Sequence, residues 1–172
     1  ALFDERFNGS VDVYENRTTD MITYETINPT SGFDNIVSNS GTMRTRGIDL
    51  SLNSRLVNTP DINFDLGFTL SHYINEVTNI PNEFILSQFG GATYITQEGE
   101  DANLFFGYQT NGVYASTAEA TAANLKIPLG NGNFAPFQGG DVIFTDLNGD
   151  QVIDEKDRTV IGNPNPDFTG SV

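Results

Sequence analysis

Residues 46–56 and 62–73 alternate with a period of two. Ile48, Leu50 and Leu52 fall on one side of the first segment, with Gly47, Asp49, Ser51 and Asn53 on the other. In the second, Ile62, Phe64, Leu66, Phe68 and Leu70 share a side opposite Asn63, Asp65, Gly67, Thr69 and Ser71. Such alternation defines strands that lie between two unlike environments. The stretch Val57-Asn58-Thr59-Pro60-Asp61 between them is rich in turn formers, so the pair is a β-hairpin. A hairpin with one apolar and one polar face belongs either to a soluble sandwich or to a membrane barrel. Three details favour the barrel. The segments match the roughly 9–11 residues of a tilted membrane strand. The polar face carries Asp49 and Asp65, which a wet lumen tolerates. Tyr73 is expected to close the apolar face, where a membrane interface places aromatic rings.

The rest of the chain extends this pattern. Phe7, Gly9, Val11 and Val13 alternate with Asn8, Ser10, Asp12 and Tyr14, predicting an earlier strand over about 7–24. The hairpin strands run over about 40–56 and 62–77, and another strand starts at about 168. The bends at Asp4-Glu5-Arg6 and near Thr59 are short. The connection around Pro29, over 26–38, is longer, and the one over 79–167 much longer. Short turns on one side and long loops on the other are the outer-membrane arrangement, with the short side periplasmic. A few strands cannot close a barrel, and open edges are not tolerated in lipid. The chain begins at Ala1 without Met and stops at Val172 as a strand begins. The expected fold is therefore all-β, a fragment of a large antiparallel transmembrane β-barrel with long extracellular loops.

Composition removes other classes. A formal net charge of −15 argues against nucleic acid as a partner. The chain has no cysteine, so it has neither disulfides nor thiolate metal sites. His72 is its one histidine, which leaves histidine-based catalysis unsupported. It is read as a lumen or interface residue, and the chain as neither an enzyme nor a holder of an organic cofactor.

Two features of the long loop are candidates for function. Phe105, Phe106, Tyr108 and Tyr114 form a dense aromatic stretch. They either make the loop's own core or offer a surface to substrate or partner. Residues 116–125 are rich in alanine and predict a short helix, whereas 126–140 show no regular period. The second feature is Asp146-Leu147-Asn148-Gly149-Asp150-Gln151-Val152-Ile153-Asp154-Glu155-Lys156-Asp157. Asp146, Asn148, Asp150, Asp154 and Asp157 stand at the spacings of an EF-hand-type calcium loop, with the Val152 carbonyl as a further ligand. Ile153 would anchor the loop to a core. Gln151 stands where that pattern wants glycine, and Asp157 where it wants the longer Glu. The reading is a structural Ca²⁺, and its rival is a turn held by Asx hydrogen bonds.

Four ordered motifs carry a family resemblance. They are Asn39 to Leu50 with its Arg44-Thr45-Arg46-Gly47 core, Phe106-Gly107-Tyr108 through Gly112-Val113-Tyr114, Gly140-Asp141 through Arg158, and Ile161-Gly162-Asn163-Pro164-Asn165-Pro166-Asp167-Phe168. Together they resemble the late barrel region of SusC-like TonB-dependent outer-membrane transporters. The resemblance implies nutrient import across the bacterial outer membrane, with oligosaccharides or peptides as cargo. It implies as partners the rest of the barrel and its plug, a SusD-like surface lipoprotein, the TonB complex acting through the plug, and outer-membrane lipid. The competing function is a secreted β-sandwich binding module with a dockerin-like calcium loop.

Overall fold

The structure is a computed structural model and describes residues 6–33 and 35–172. Of the bend expected at Asp4-Glu5-Arg6, Asp4 and Glu5 lie outside the described residues. In chain order the strands begin with β1 (Phe7–Thr26), β2 (Asn35–Asn58), β3 (Asn63–Asn79), β4 (Phe84–Phe89), β5 (Ala92–Gln97) and β6 (Leu104–Tyr108). Then come β7 (Thr110–Val113), helix α1 (Thr117–Ala123), β8 (Lys126–Gly130), β9 (Asn133–Pro136), β10 (Val142–Phe144), β11 (Arg158–Gly162) and β12 (Thr169–Ser171). The chain divides into two compact units. One holds the described residues up to Leu86 with Thr96–Asn103 and Pro164–Val172; the other holds Ser87–Ile95 and Leu104–Asn163.

The first unit is built on an antiparallel sheet in the order β1-β2-β3-β12. At 20, 24 and 17 residues, β1 to β3 outrun the roughly 9–11 residues that cross a bilayer, so they continue beyond it. The turn between β2 and β3 is tight. The Thr59 N–H donates to the Ile62 carbonyl at 2.8 Å, and the Thr59 hydroxyl takes the Ile62 N–H at 3.0 Å. The loop expected over 26–38 is shorter than its composition implied. Thr23, Tyr24 and Glu25 pair with Ser38, Val37 and Ile36, leaving a single 3-10 turn at Pro29–Ser31. A ladder already formed below them extends into polar sequence, because each added pair satisfies backbone groups. The irregularity in β1 lies elsewhere. Asp20 adopts φ 57°, and the register shifts between Thr18 and Met21, a bulge.

Register defines the two faces. Across β1, β2 and β3, Val11 aligns with Leu50 and Leu70, Gly9 with Leu52 and Phe68, and Phe7 with Ser54 and Leu66. One rung further, Val13 aligns with Ile48 and His72. The opposite face carries Asn8, Asn53 and Gly67, then Ser10, Ser51 and Thr69, then Asp12, Asp49 and Ser71. A sandwich would bury the apolar face. Here Val11, Val13, Phe64 and Leu66 are 61%, 79%, 50% and 42% exposed, which overturns the sandwich alternative. This is the outward face of a barrel sheet, whose solvent is lipid.

Tyr73 is corrected by the same register. It pairs with Gly47, which pairs with Tyr14, and so lies on the polar face. An odd residue number in β3 cannot share a side with the even-numbered Leu66 to Leu70. The outer face at that level carries His72, whose Nδ1 lies 2.6 Å from the Asp167 carbonyl and whose ring packs on Phe168 at 4.9 Å. Gly47 is needed where it stands, because a Cβ there would collide with the Tyr14 ring. The basic-x-basic-Gly motif thus has a physical reading. Arg44 binds Glu76 at 2.5 Å, Arg46 binds Glu15 at 2.7 Å, and Gly47 makes room for a cross-strand tyrosine.

The second unit has its own interior of Tyr114, Ala120, Phe137 and Ile153, flanked by Tyr108, Leu125, Ile143 and Phe144. β6 pairs with β11, and β7 with β10. Helix α1 lies within the predicted 116–125. Ser116 caps it by accepting the Glu119 N–H at 3.2 Å, and Asn124 ends it in the left-handed conformation, φ 56°. The stretch 126–140, read as aperiodic, contains the hairpin β8–β9. Its turn uses Gly130, Asn131 and Gly132 at φ 88°, 51° and 78°.

Substitutions on the two faces should separate. Leu66→Arg, outward at mid-strand, should cost about 2–4 kcal/mol of barrel stability, whereas Thr69→Arg on the wet face should cost far less. Reversible unfolding of the full-length barrel in lipid measures both; equal costs would refute the assignment of faces.

Candidate functional site

The acidic loop is held from within. Asp146 accepts the Gly149 N–H on Oδ1 and the Gln151 N–H on Oδ2, both at 2.8 Å. The Asn148 Oδ1 accepts the Asp150 N–H at 2.9 Å, and the Asp150 Oδ1 accepts that of Val152 at 2.8 Å. Asp154 caps the 3-10 turn Glu155–Asp157 by accepting the Lys156 N–H at 2.8 Å. Gln151 takes φ 65°, the conformation for which a calcium loop normally uses glycine. A bond of 2.7 Å from the Asn124 amide to its own carbonyl oxygen helps to hold it.

Asp157 is the anchor of this loop, with none of its surface exposed. Its Oδ1 accepts the Leu147 N–H and its Oδ2 the Asp154 N–H, each at 2.9 Å. Burial pushes its carboxyl up. The N–H donors of Asp154, Leu147 and Asn148 outweigh that and hold it below the ordinary carboxylate range. On the other side, Ile153 is 5% exposed and sits in the unit's core. Its N–H donates to the Lys126 carbonyl at 2.9 Å, and Val152 bridges to Lys126.

All six residues of the expected calcium set therefore lie in one compact loop, and every donor among them is an oxygen. As folded, those side-chain oxygens accept bonds from the loop's own amides. Among the described residues no three His, Asp or Glu side chains are arranged to hold a metal ion. The hydrogen bonds account for the loop's shape.

The aromatic set is placed unevenly. Tyr114 is interior at 3% exposure and lies 6.2 Å from Phe137. Tyr108 is half-buried, edge-on to Phe144 at 5.6 Å. Burial pushes its phenol up, and Glu155 adds to this. Phe105 is half-buried against Tyr94 at 5.1 Å. Phe106, also half-buried, lies under the Arg158 guanidinium at 4.7 Å. Phe137 and Phe144, which tie the core together, were missed in the sequence because glycine and proline around them hide any period.

The motifs meet one another. Phe106 pairs with Val160, Tyr108 with Arg158 and Val113 with Val142. The Asp141 carbonyl takes the Tyr114 N–H at 3.0 Å. A lipid-facing sheet with a separately cored segment in its long connection defines an outer-membrane β-barrel. The match to the family described as "TonB dependent receptor-like, beta-barrel" covers residues 2–169, and the chain belongs to that family.

Two relatives from Formosa agariphila agree. TonB-dependent receptor P3 is 34% identical over 98% of this chain, and TonB-dependent receptor P39 is 30% identical over 99%. The chain spans 17% and 19% of their lengths. Among solved structures, that of the RagAB peptide transporter matches with a TM-score of 0.66 at 22% identity, over 98% of this chain and 17% of that one. A structure of the RagAB peptide importer in an open-open state matches with a TM-score of 0.57 over 84% of this chain. These likenesses agree in fold, and the protein is one of the bacterial outer membrane.

The Asp157 anchor makes two expectations. Its stabilisation should be complete above the ordinary carboxylate range and be lost only as pH falls through its depressed folded pKa. Asp157→Asn turns an amide NH₂ toward one of two buried N–H donors and should cost about 1–3 kcal/mol. Hydrogen exchange at the Leu147 and Asp154 amides reads both effects; unchanged protection would refute the anchor.

Proposed function

We propose that this chain is the loop-bearing part of a SusC-like, TonB-dependent importer of oligosaccharides or peptides. The observation that carries the reading is a long connection that folds around its own core and leaves Phe105, Phe106 and Tyr108 half-exposed beside it. Loops of this length in compact proteins serve binding, and aromatic faces suit both the C–H faces of sugars and peptide side chains. In this reading Tyr114 supports the three from below. A SusD-like surface lipoprotein delivers cargo to them, and TonB acts on the plug elsewhere in the whole protein. The chain carries no chemistry of its own. The titles of the matched solved structures name peptide as the cargo of those proteins, which favours peptide as the first cargo to test.

Calcium belongs to the same proposal, as a structural ion held by Asp146, Asn148, Asp150, Asp154, Asp157 and the Val152 carbonyl. Support comes from the all-oxygen donor set and from Gln151, whose backbone already has the shape a glycine would supply. Binding would require the side chains to exchange amide partners for the ion.

Phe105→Ala, Phe106→Ala and Tyr108→Ala in the full-length transporter should each lower uptake by about fivefold or more, the scale of a hot-spot aromatic. The amount of assembled barrel should stay the same. Normal uptake by all three variants refutes the contact role. For calcium, melting of the full-length protein should rise on adding Ca²⁺ and fall with chelator, and Asp150→Ala should abolish the difference.

A further inference from the structure

The outer face gathers cations in one place. The chain has eight Lys and Arg residues against a formal net charge of −15. Three of them, Arg17, Arg44 and Arg46, stand together on this face just past the apolar band. The rung beyond Val13, Ile48 and His72 is Glu15, Arg46 and Ile74, and the next is Arg17, Arg44 and Glu76. Arg46 is neutralised by Glu15 and Arg44 by Glu76. Arg17 is exposed and has no carboxylate partner among the described residues. It directly opposes Arg44, which places two like charges about 5 Å apart at their Cβ atoms, an arrangement that destabilises a strand pair. The Arg44 Nε is buried without a hydrogen-bond partner among the described residues.

Below the arginines the surface is hollow and apolar. A depression of about 490 Å³ is lined by Val13, Ile48, His72 and Ile74 and rimmed by Arg46. Further down, one of about 630 Å³ is lined by Val11, Leu50, Leu52, Leu66 and Phe68 around the bare Cα of Gly9. The tight turn at 59–62 closes the opposite end of these strands. By the rule that short turns are periplasmic, the arginines lie at the outer-leaflet headgroup level.

We propose that this strip binds a phosphate-bearing lipid of the outer leaflet. Its phosphate lies between Arg17 and Arg44 with Arg46 alongside, and its acyl chains run down the two hollows. A phosphate removes the repulsion between the opposed guanidiniums, which present forked donors suited to its oxygens. The hollows select a lipid over a free anion. A ligand resting on both the arginines and the lipid-facing band has to reside in the bilayer.

The test uses the full-length transporter in nanodiscs of phosphatidylcholine doped with monophosphoryl lipid A or its dephosphorylated form, with bound lipid counted by native mass spectrometry. Wild type should retain the phosphorylated lipid over the dephosphorylated one, less so at high salt. Arg17→Gln leaves both ion pairs intact and should reduce retention several-fold, R17Q/R44Q further, and Arg17→Lys least. Thermal melting in detergent without added lipid should be unchanged for R17Q, which separates lipid loss from misfolding. Equal retention by R17Q and wild type, or equal retention of both lipids, overturns the proposal. So does displacement of the lipid by inorganic phosphate alone, which would make the strip a site for free anions.

Discussion

In lipid, backbone N–H and C=O groups have only one another to bond, and everything in the first unit follows from that constraint. The three long strands keep one register from Phe7–Ser54 up to Thr18–Met43, and from Leu66–Ser54 up to Val77–Met43. The two registers align whole rungs across the sheet, and each rung has a single face. Where the ladder leaves the apolar band it is free to bend, and the bulge at Asp20 falls there rather than among Val11 and Val13. The outer edges of β1 and β12 have no partner strand among the described residues. In a barrel of this family, neighbouring strands meet that need.

The second unit is stabilised in a different way. Its apolar interior is small, and polar knots hold much of its shape. The Asp141 carboxylate accepts the Gln138 N–H at 2.8 Å while its carbonyl takes that of Tyr114. Asp157 ties Leu147 to Asp154 from a position with no exposed surface. Such charge-assisted bonds are strong when they are complete and costly when one partner is lost. This is why a segment rich in glycine, asparagine and proline holds a defined surface for Phe105, Phe106 and Tyr108.

The boundary between membrane and water is written in the same strands. Ile48 ends the apolar run of β2, and Arg46 and Arg44 follow on the same side. Glu15 and Glu76 pair with them, so the band ends in charge on β1, β2 and β3 alike. On the inner side, Asp12 faces Asp49 across β1 and β2. Two carboxylates so placed are tolerated where water screens them, as in a lumen.

The sequence by itself determined the hairpin, its two faces and the family, because a period of two and four ordered motifs are local signals. It also showed that the acidic loop would be special and that Ile153 would root it in a core. Placing Tyr73 on the apolar side contradicted that same period, which the pairing of Tyr73 with Gly47 enforces. Tertiary structure alone decided what no local pattern encodes. It extended β1 and β2 through a stretch composed like a loop, since a neighbouring strand rewards pairing whatever the side chains. It brought Phe137 and Phe144, hidden among glycines and prolines, onto Tyr108 and Tyr114. It turned Asp157 inward onto backbone amides, because a carboxylate takes whichever donors the fold presents. It also set Arg17 opposite Arg44, a pairing that depends on register between strands and cannot be read from either strand alone.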